Sequence, residues 1–431
     1  MVHSAEAEAP SFPELLRFKR VQAGLTQRTL ADLSTISPRT IRALESGRVN
    51  ARMQTVRLLA DALGLEGLAR ELFVTAGLGG GGPAPVGAEP CPAVPRSVNA
   101  LLGRDVEVRA MVGALESDHR RMISISGLAG VGKSRVAAET AARLSSRRGW
   151  PVLWIGSGTV APAGPGTAFG PLLRSLRLLV ESGAQDVSAV CRLIGRHELL
   201  LVLDGVADAR DPVGVEELLA YCPGIRVVST SRAPWNVAGV QGTVLAPLAV
   251  PGPDGEGAGV GPGCLDVLTA VPSVRLLVDR LSEVRPGFVL DLADAMAAVR
   301  LCRTLDGLPA ALEAAAAGCG VLSLRRLADM PAAELLELPS AARPVGAPGT
   351  IGCPIRSGVE RLDPGPRKLL GELAEFDTAL TVCEAAEALR RPMNQVVDGL
   401  GTLTGGGFVR AAHGEAETRL HLPNLVRAAL A

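Results

Sequence analysis

The chain has 431 residues, a length that predicts two to four domains rather than one. Apolar residues make up 47% of it and charged residues 20%, so it can form several hydrophobic cores. Only 3% of the residues are aromatic, which argues against a stacking surface for single-stranded nucleic acid. Basic and acidic residues balance at 44 each, so any affinity for nucleic acid has to come from a local basic patch.

The eight cysteines are scattered without a Cys-x-x-Cys pair or a cysteine/histidine cluster. This pattern is typical of free thiols in a reducing cytosol. The sequence contains neither a signal-peptide pattern nor an apolar run of about 18 residues. We therefore expect a cytoplasmic protein that has no membrane partner.

Three stretches rich in glycine and proline divide the sequence and are predicted to be linkers or long loops. They are 77–98, 250–264 and about 340–357. Between the first two, apolar runs alternate with helical patterns, which indicates a parallel sheet covered by helices. These runs are 122–126, 152–155, 199–203 and 227–230. The predicted multidomain order is an all-α domain at 1–76, a linker at 77–98, an α/β domain at 99–250, a helical domain at 251–340 and a further domain at 341–431.

The N-terminal segment has the pattern of four or five short helices, with Thr26 and Ser37 at N-cap positions and Pro38 in a first turn. The predicted helices are 14–23, 27–33, 38–45 and 55–63. Between residues 14 and 58 the basic residues exceed the acidic ones by six, which favours attraction of phosphates. The alternative is a helical bundle that contacts proteins through an ordinary solvated face.

The run KRVQAGLTQRTLADLSTISPRTIRALESG resembles the Cro-like, repressor-type helix-turn-helix family over about 50 residues. In that family the second helix of the motif lies in the major groove of DNA. The resemblance implies that Arg39 contacts a guanine, that Gln27 holds a phosphate and that Arg20 pairs with Glu45. Thr35 replaces the usual glycine of the turn, which predicts slight strain. The DNA-binding candidates are Gln27, Arg28, Pro38, Arg39, Thr40, Arg42 and Ala43.

Residues 122–134, MISISGLAGVGKS, contain the full P-loop motif between an apolar strand and a helical run. The glycines let backbone N–H groups point towards phosphate oxygens. Lys133 is expected to bridge the β- and γ-phosphates, and the Ser134 hydroxyl to bind Mg²⁺. The alternative, a glycine-rich turn with an incidental lysine, leaves the strand–loop–helix context unexplained.

An apolar strand that ends in Asp204 supplies a carboxylate as the second Mg²⁺-coordinating group. Gly205 follows, where many P-loop proteins carry a second acidic or amide residue that positions water. ATP hydrolysis is therefore expected to be slow or to depend on Asp208.

Residues 100–431 as a whole resemble the NB-ARC, or STAND-type, signal-transduction ATPases. The matching motifs are 101–107 (LLGRDVE), 227–232 (VVSTSR) and 307–309 (GLP). The resemblance places the 227–230 strand between the other two motif strands, so that Arg232 reaches the γ-phosphate, and it places Pro309 on adenine. The implied site comprises the catalytic group Lys133, Asp204 and Arg232, and the ATP/ADP-binding residues Leu102, Gly103, Arg104, Gly127, Gly130, Val131, Gly132, Lys133, Ser134, Arg135 and Pro309.

Residues 362–431 resemble the winged-helix domain of the same family, with a wing-like turn at 405–410. The family's MHD motif has diverged here, because Pro423 replaces its histidine and Asn424 its aspartate. His421 reaches the histidine position only with a shifted register.

These patterns lead to one hypothesis with two alternatives. The first is an ATP/ADP-switched transcriptional regulator that oligomerises to present its helix-turn-helix domains to operator DNA, with an effector that the sequence does not identify. The second is an ATP-hydrolysing enzyme that is merely targeted to DNA. The third is a DNA-binding protein whose pocket holds ADP permanently as a structural ligand.

Overall fold

The computed structural model describes residues 12–49, 51–65, 99–117, 120–156, 198–205, 215–235, 240–252, 264–340, 349–414 and 417–431, and the single positions 70, 73, 74, 77, 191 and 194. The chain divides into two compact units. One holds the described positions of 1–93 and 161–195, and the other holds those of 94–160 and 196–431.

Within the described stretches 12–49 and 51–65, the N-terminal unit contains four short helices, close to the predicted bounds. They are α1 (Phe12–Gln22), α2 (Gln27–Ser34), α3 (Pro38–Glu45) and α4 (Met53–Ala62). Apolar residues at helical spacing bury one side of each helix, so this unit has its own core. That core includes Leu16, Leu30, Ile41, Leu44, Val56, Leu59 and Phe73.

The caps of α2 and α3 are those expected from the sequence. The Thr26 hydroxyl accepts a hydrogen bond from the Thr29 N–H at 3.1 Å, and the Ser37 hydroxyl accepts one from the Thr40 N–H at 3.1 Å. Between the two helices Thr35 adopts φ +58°, a left-handed conformation that a β-branched residue rarely takes. The strain predicted at this turn is therefore present.

The second unit is built on a five-stranded parallel sheet in the order β2-β3-β4-β1-β5. Its strands are β1 (Met122–Ser126), β2 (Val152–Gly156), β3 (Leu199–Asp204), β4 (Ile225–Thr230) and β5 (Gln241–Val244). The first four are buried along nearly their whole length because helices cover both faces of the sheet. The described helices of this region are α5 (Asp105–Glu116), α6 (Lys133–Arg148) and α7 (Val215–Tyr221). The edge strand β5, only four residues long, was missed by the sequence analysis.

A helical region follows the sheet and shares its hydrophobic core. It contains α8 (Cys264–Ala270), α9 (Pro272–Val284), α10 (Leu292–Thr304), α11 (Pro309–Gly318), α12 (Leu324–Ala328) and α13 (Ala332–Leu335). Asp291 caps α10, because its carboxylate accepts from the Asp294 N–H at 2.6 Å. Pro309 is the first residue of α11, a position where a missing N–H costs nothing.

The C-terminal region, residues 349–431, combines helices with a three-stranded antiparallel sheet in the order β6-β8-β7. Its elements are α14 (Gly352–Glu360), α15 (Pro364–Ala374), β6 (Leu380–Thr381), α16 (Val382–Ala388), α17 (Met393–Gly405), β7 (Arg410–His413), β8 (Thr418–His421) and α18 (Asn424–Leu430). The assignment of this region as a winged-helix domain stays a prediction.

Two expectations for the C-terminal part were wrong. The stretch 340–357 is not a linker throughout, because α14 begins at Gly352 and tolerates Pro354 in its first turn. The turn at 405–410 is not the wing either, since it ends α17 and leads into β7. The β7–β8 connection falls at 414–417 instead. Among the described residues, no helix combines the length and apolar character needed to span a membrane.

Candidate functional site

The P-loop joins the end of β1 to the start of α6, as predicted. Gly127, Gly130 and Gly132 all have positive φ, at +135°, +84° and +102°. A side chain at Gly130 would also collide with α11, because a Cβ there would lie 2.8 Å from the Ala310 Cβ. These constraints explain why glycine occupies position 130.

The Lys133 ammonium lies over its own loop. Its Nζ donates to the carbonyl oxygens of Gly127 at 2.7 Å and Leu128 at 3.1 Å. A lysine in this position is a movable point charge, because its flexible stem allows the ammonium to exchange carbonyl oxygens for other acceptors.

The two predicted magnesium ligands meet directly. Ser134 Oγ donates to Asp204 Oδ1 at 2.6 Å, and Thr230 Oγ1 donates to the same oxygen at 2.7 Å. The Gly205 N–H in turn donates to Thr230 Oγ1 at 2.9 Å. A hydroxyl and a carboxylate that converge in this way are hard oxygen donors that fit Mg²⁺.

The sequence analysis missed Thr230, although a polar residue at the end of a buried strand was a usable signal. The sheet order explains its role: β4 lies between β3 and β1, as the resemblance implied, so its carboxyl end faces both motif strands. Arg232 follows two residues later, beyond the end of β4. Asp208 lies outside the described residues.

Arg104 is buried and bonds to the backbone of the P-loop. It is only 4% exposed, and its guanidinium donates to the carbonyl oxygens of Ala246 at 2.6 Å and Val131 at 3.3 Å and pairs with Glu107 at 3.1 Å. Burial lowers the pKa of Arg104 below the usual arginine value, and the neighbouring Glu107 opposes that change. Its bonds tie the P-loop to the segment after β5.

A small cleft beside the P-loop brings together most of the residues predicted to hold a nucleotide. Its volume is about 20 Å³. A space of this size holds roughly one water molecule, so a purine base requires the cleft to widen. Arg135 borders it and donates to the backbone oxygens of Asn99 at 2.9 Å and Ala100 at 3.1 Å. The cleft is lined by Leu101, Leu102, Arg104, Val131, Gly132, Arg135, Leu248, Leu276 and Pro309.

The C-terminal region covers the P-loop through the turn after α17. A Cβ on Gly407 would lie 2.7 Å from the Leu128 nitrogen and 3.3 Å from the Gly127 Cα. Gly406 lies against the backbone oxygen of Arg232, and Gly405 lies against the Pro234 ring. Only glycine fits at position 407, for two reasons: a Cβ would clash with the P-loop backbone, and the residue has φ +77°. The described conformation is thus closed over the phosphate-binding loop.

The diverged MHD-like segment contacts the end of α10 and has no described contact with the P-loop. His421 is exposed on β8 and borders a cavity of about 60 Å³ with Phe376, Asp377 and Arg427, whose lining includes no P-loop residue. Asn424 Nδ2 donates to the Arg303 carbonyl at 3.0 Å, near the end of α10. No described contact places His421 or Asn424 at the P-loop.

The face of α3 predicted to read DNA is open to solvent. Pro38, Arg39 and Arg42 are exposed, Thr40 and Ala43 are half-buried, and Ile41 and Leu44 turn into the core. Arg28 on α2 is exposed as well. This division places the predicted base-reading residues on one side of the helix.

Beneath α3, Arg20 and Glu45 form the expected ion pair, with Arg20 Nε 2.6 Å from Glu45 Oε1. Gln27 Nε2 donates to Glu45 Oε2 at 2.6 Å. One of the two N–H bonds of the Gln27 amide is therefore used inside the domain, and its contact with a phosphate stays a prediction.

Comparison with known families gives a match for the N-terminal segment: residues 16–68 match the helix-turn-helix family. Residues 16–68 form a Cro-like helix-turn-helix domain. The match covers α2 and α3, the two helices that carry the DNA-binding candidates.

Two relatives from Mycobacterium tuberculosis align over longer segments. A protein named "Putative HTH-type transcriptional regulator" is 29% identical over 218 residues, which are 48% of this chain and 21% of the relative. An uncharacterized protein is 26% identical over 284 residues, 65% of this chain and 66% of the relative. The chain thus spans about a fifth of the length of the regulator.

Two solved structures share low overall similarity with this chain. A Signal Transduction ATPase with Numerous Domains from Pyrococcus horikoshii, with a tetratricopeptide repeat sensor, matches 79% of this chain and 43% of its own, at 13% identity and a TM-score of 0.28. Cdc6p from Pyrobaculum aerophilum matches 78% of this chain and 96% of its own, at 13% identity and a TM-score of 0.27.

Proposed function

We propose that this chain is a DNA-binding transcriptional regulator of the STAND type whose activity is switched by ATP and ADP. The observation that carries the proposal is the convergence of Ser134, Thr230 and Asp204 beside a P-loop, because hard oxygen donors next to a phosphate-binding loop are what a Mg²⁺-nucleotide site requires. The name of the M. tuberculosis regulator supports the DNA-binding half of the proposal.

The helix-turn-helix domain is the DNA reader in this proposal. Its exposed arginines supply the phosphate attraction that a neutral chain otherwise lacks. Helix α17 carries one charged residue, Asp398, so it offers no basic side chain to a phosphate.

The residues around the P-loop have separate tasks. Lys133 would exchange its two carbonyl partners for phosphate oxygens, and Ser134 and Asp204 would hold the metal. Leu102 and Pro309 form the apolar walls of the base site. A bound Mg²⁺-nucleotide supplies the charge that these groups neutralise. Gly205 provides no group to orient water, which favours slow turnover and a role as a switch.

The switch has two states in this proposal. In the closed state Gly407 contacts the P-loop, and in the open state this contact is lost. A ligand that fits only an open form shifts the population towards it. A shift from 1:99 to 99:1 requires about 5.5 kcal/mol of differential affinity. Open chains then associate and bring two DNA-binding domains to half-sites about 34–36 Å apart. An effector that adds to the nucleotide's contribution is part of the same proposal.

The test measures DNA binding and association state with ADP, ATP and a non-hydrolysable ATP analogue. The DNA is a duplex that the native protein selects from a random pool. We expect the analogue to tighten DNA binding and to increase the sedimentation coefficient, and both effects to vanish in Lys133→Ala. Lys368→Ala is the matched control, since Lys368 is 74% exposed on α15.

Other outcomes favour the alternatives. Turnover of many ATP molecules per second without DNA indicates an enzyme. Tightly held ADP that never exchanges, with DNA affinity indifferent to nucleotide, indicates a structural ligand. Either result contradicts the switch.

A further inference from the structure

Asp306 lies in the turn between α10 and α11, directly before Gly307, Leu308 and Pro309. Its φ is +54°, so this non-glycine residue is held in the left-handed region. Its carboxylate Oδ2 accepts a hydrogen bond from the Leu425 N–H at 2.8 Å, at the start of α18. One side chain of the helical region thus caps a helix of the C-terminal region.

Two more bonds join the same turn to the C-terminal region. Arg410 Nη2, on β7, donates to the Asp306 carbonyl at 2.8 Å. The Asn424 amide donates to the Arg303 carbonyl, three residues before Asp306, at 3.0 Å. The first residues of β7 and of α18 are therefore both bonded to the end of α10 and the turn that follows it.

The other side of this turn contacts the nucleotide cleft. The Ala310 N–H donates to the Gly130 carbonyl of the P-loop at 3.1 Å, and the Gly307 carbonyl accepts from the Leu248 N–H at 3.0 Å. Pro309 itself lines the cleft. Asp306 lies three positions before Pro309 in this turn, so a displacement of Pro309 is expected to move Asp306 as well.

The contact is partly buried, so breaking only one of its bonds is costly. Desolvation raises the pKa of Asp306 and lowers that of Arg410, and each charge partly offsets the burial of the other. Removing one partner of such a pair leaves the other charge without compensation. The turn and the C-terminal region are thus expected to stay together or to separate as a unit.

We propose that Asp306 is a positioning residue that couples the nucleotide cleft to the closed seating of the C-terminal region. The inference rests on the proposed function and deepens it. In this chain the segment at Pro423 and Asn424 is bonded to the turn that carries Pro309 and has no described contact with the P-loop. In this proposal the C-terminal region responds to a bound nucleotide through Pro309, at the part of the cleft that holds the base.

The direction of the coupling follows from the size of the cleft. The cleft holds about 20 Å³, so a purine base that enters it displaces lining residues, and Pro309 is the lining residue that shares its turn with Asp306. A protein whose competent state is rarely populated binds its ligand with an affinity reduced by that fraction. Weakening the Asp306 contacts is expected to raise nucleotide affinity while it loosens α18.

The experiment combines hydrogen–deuterium exchange of α18 with nucleotide titration of the full chain. Asp306→Gly removes the carboxylate and accepts positive φ. Asp306→Asn keeps an acceptor and serves as the conservative rescue. Asp329→Asn is the matched control, because Asp329 is 63% exposed and pairs with Arg300 away from this turn.

For Asp306→Gly we expect at least tenfold faster exchange at Leu425 and at least threefold tighter binding of the ATP analogue. Asp329→Asn should stay within twofold of the native protein, and Asp306→Asn, which keeps the acceptor but loses the charge, should lie between the native protein and Asp306→Gly. Asn424→Ala, at an exposed position, removes a different bond of the same contact and should move both readouts in the same direction. It therefore keeps the test decisive if Asp306→Gly does not fold.

The outcomes separate the two proposals. If Asp306→Gly leaves the exchange of α18 unchanged, or binds nucleotide more weakly than the native protein, the coupling is overturned. The proposed function still holds in that case, provided that the native protein binds nucleotide and Lys133→Ala does not. A native protein that binds neither ADP nor the ATP analogue overturns both.

Discussion

Ser134 Oγ and Asp204 Oδ1 lie 2.6 Å apart although 70 positions separate them in the sequence. The contact forms because β4 places Thr230 between the P-loop strand and β3, where it donates to the same carboxylate oxygen. These side chains satisfy one another in the closed form, and the same oxygens are available to a metal once they separate.

Asp204→Asn should abolish the dependence of ATP-analogue affinity on Mg²⁺. An amide lacks the negative charge that a hard cation prefers. We expect the tightening by Mg²⁺, about tenfold or about 1.4 kcal/mol, to disappear in calorimetric titrations with and without a chelator. Asp398→Asn, on exposed α17, should leave it unchanged. Full Mg²⁺ dependence in Asp204→Asn would remove Asp204 from the metal site.

Gly407→Ala should destabilise the second unit by about 1–3 kcal/mol, because alanine at positive φ is strained and its Cβ meets Leu128. Gly371→Ala is the matched control. It lies within α15 with open space around it and should stabilise by about 0.5–1 kcal/mol. Urea unfolding followed by tryptophan fluorescence reports on this unit, since Trp150, Trp154 and Trp235 are all buried there. Equal effects of the two variants would contradict the close approach.

Arg39→Ala should erode discrimination between specific and random DNA by about 1–3 kcal/mol, the value of a bidentate base contact. Arg28→Ala should weaken both DNAs alike and lower the salt slope by about one. Fluorescence anisotropy over a range of salt concentrations measures both quantities. If the two variants lose affinity equally on specific and random DNA, α3 is not the helix in the groove.

Glu45→Ala should destabilise the helix-turn-helix domain strongly, by about 3–5 kcal/mol, because it leaves Arg20 buried without its partner. The two side chains are only 12% and 6% exposed. Asp61→Ala breaks the exposed pair with Arg70 and should cost about 0–1 kcal/mol. Amide exchange in α1 and α3 provides the readout. Similar exchange in both variants would show that the buried pair contributes little.

Titration of the Asp306 carboxyl group should lower the free energy of unfolding as the pH rises. Burial raises its pKa in the folded protein above the ordinary value of 3.8. The unfolded chain therefore loses its proton first, and the native state binds more protons between the two pKa values. The stabilising contribution is complete below 3.8 and is lost as the pH passes the raised folded pKa. The difference in unfolding free energy between native protein and Asp306→Asn, measured from acid to neutral pH, should follow this curve. A pH-independent difference would contradict it.

Local patterns were predictable from the sequence. The caps at Thr26 and Ser37 and the P-loop between β1 and α6 depend on neighbours a few residues away, so short segments carry the necessary information. The edge strand β5 and the helix α14 were missed because each is short or contains proline and glycine, which local patterns read as loop.

The sequence by itself determined that this chain carries a repressor-like helix-turn-helix, a P-loop and a parallel sheet, since each is encoded by residue types at fixed short spacings. The tertiary structure alone decided that Gly407 closes on the P-loop and that Asp306 caps a helix 119 positions away. The physical reason is that such contacts join distant segments, whose relative positions follow from the packing of one continuous core.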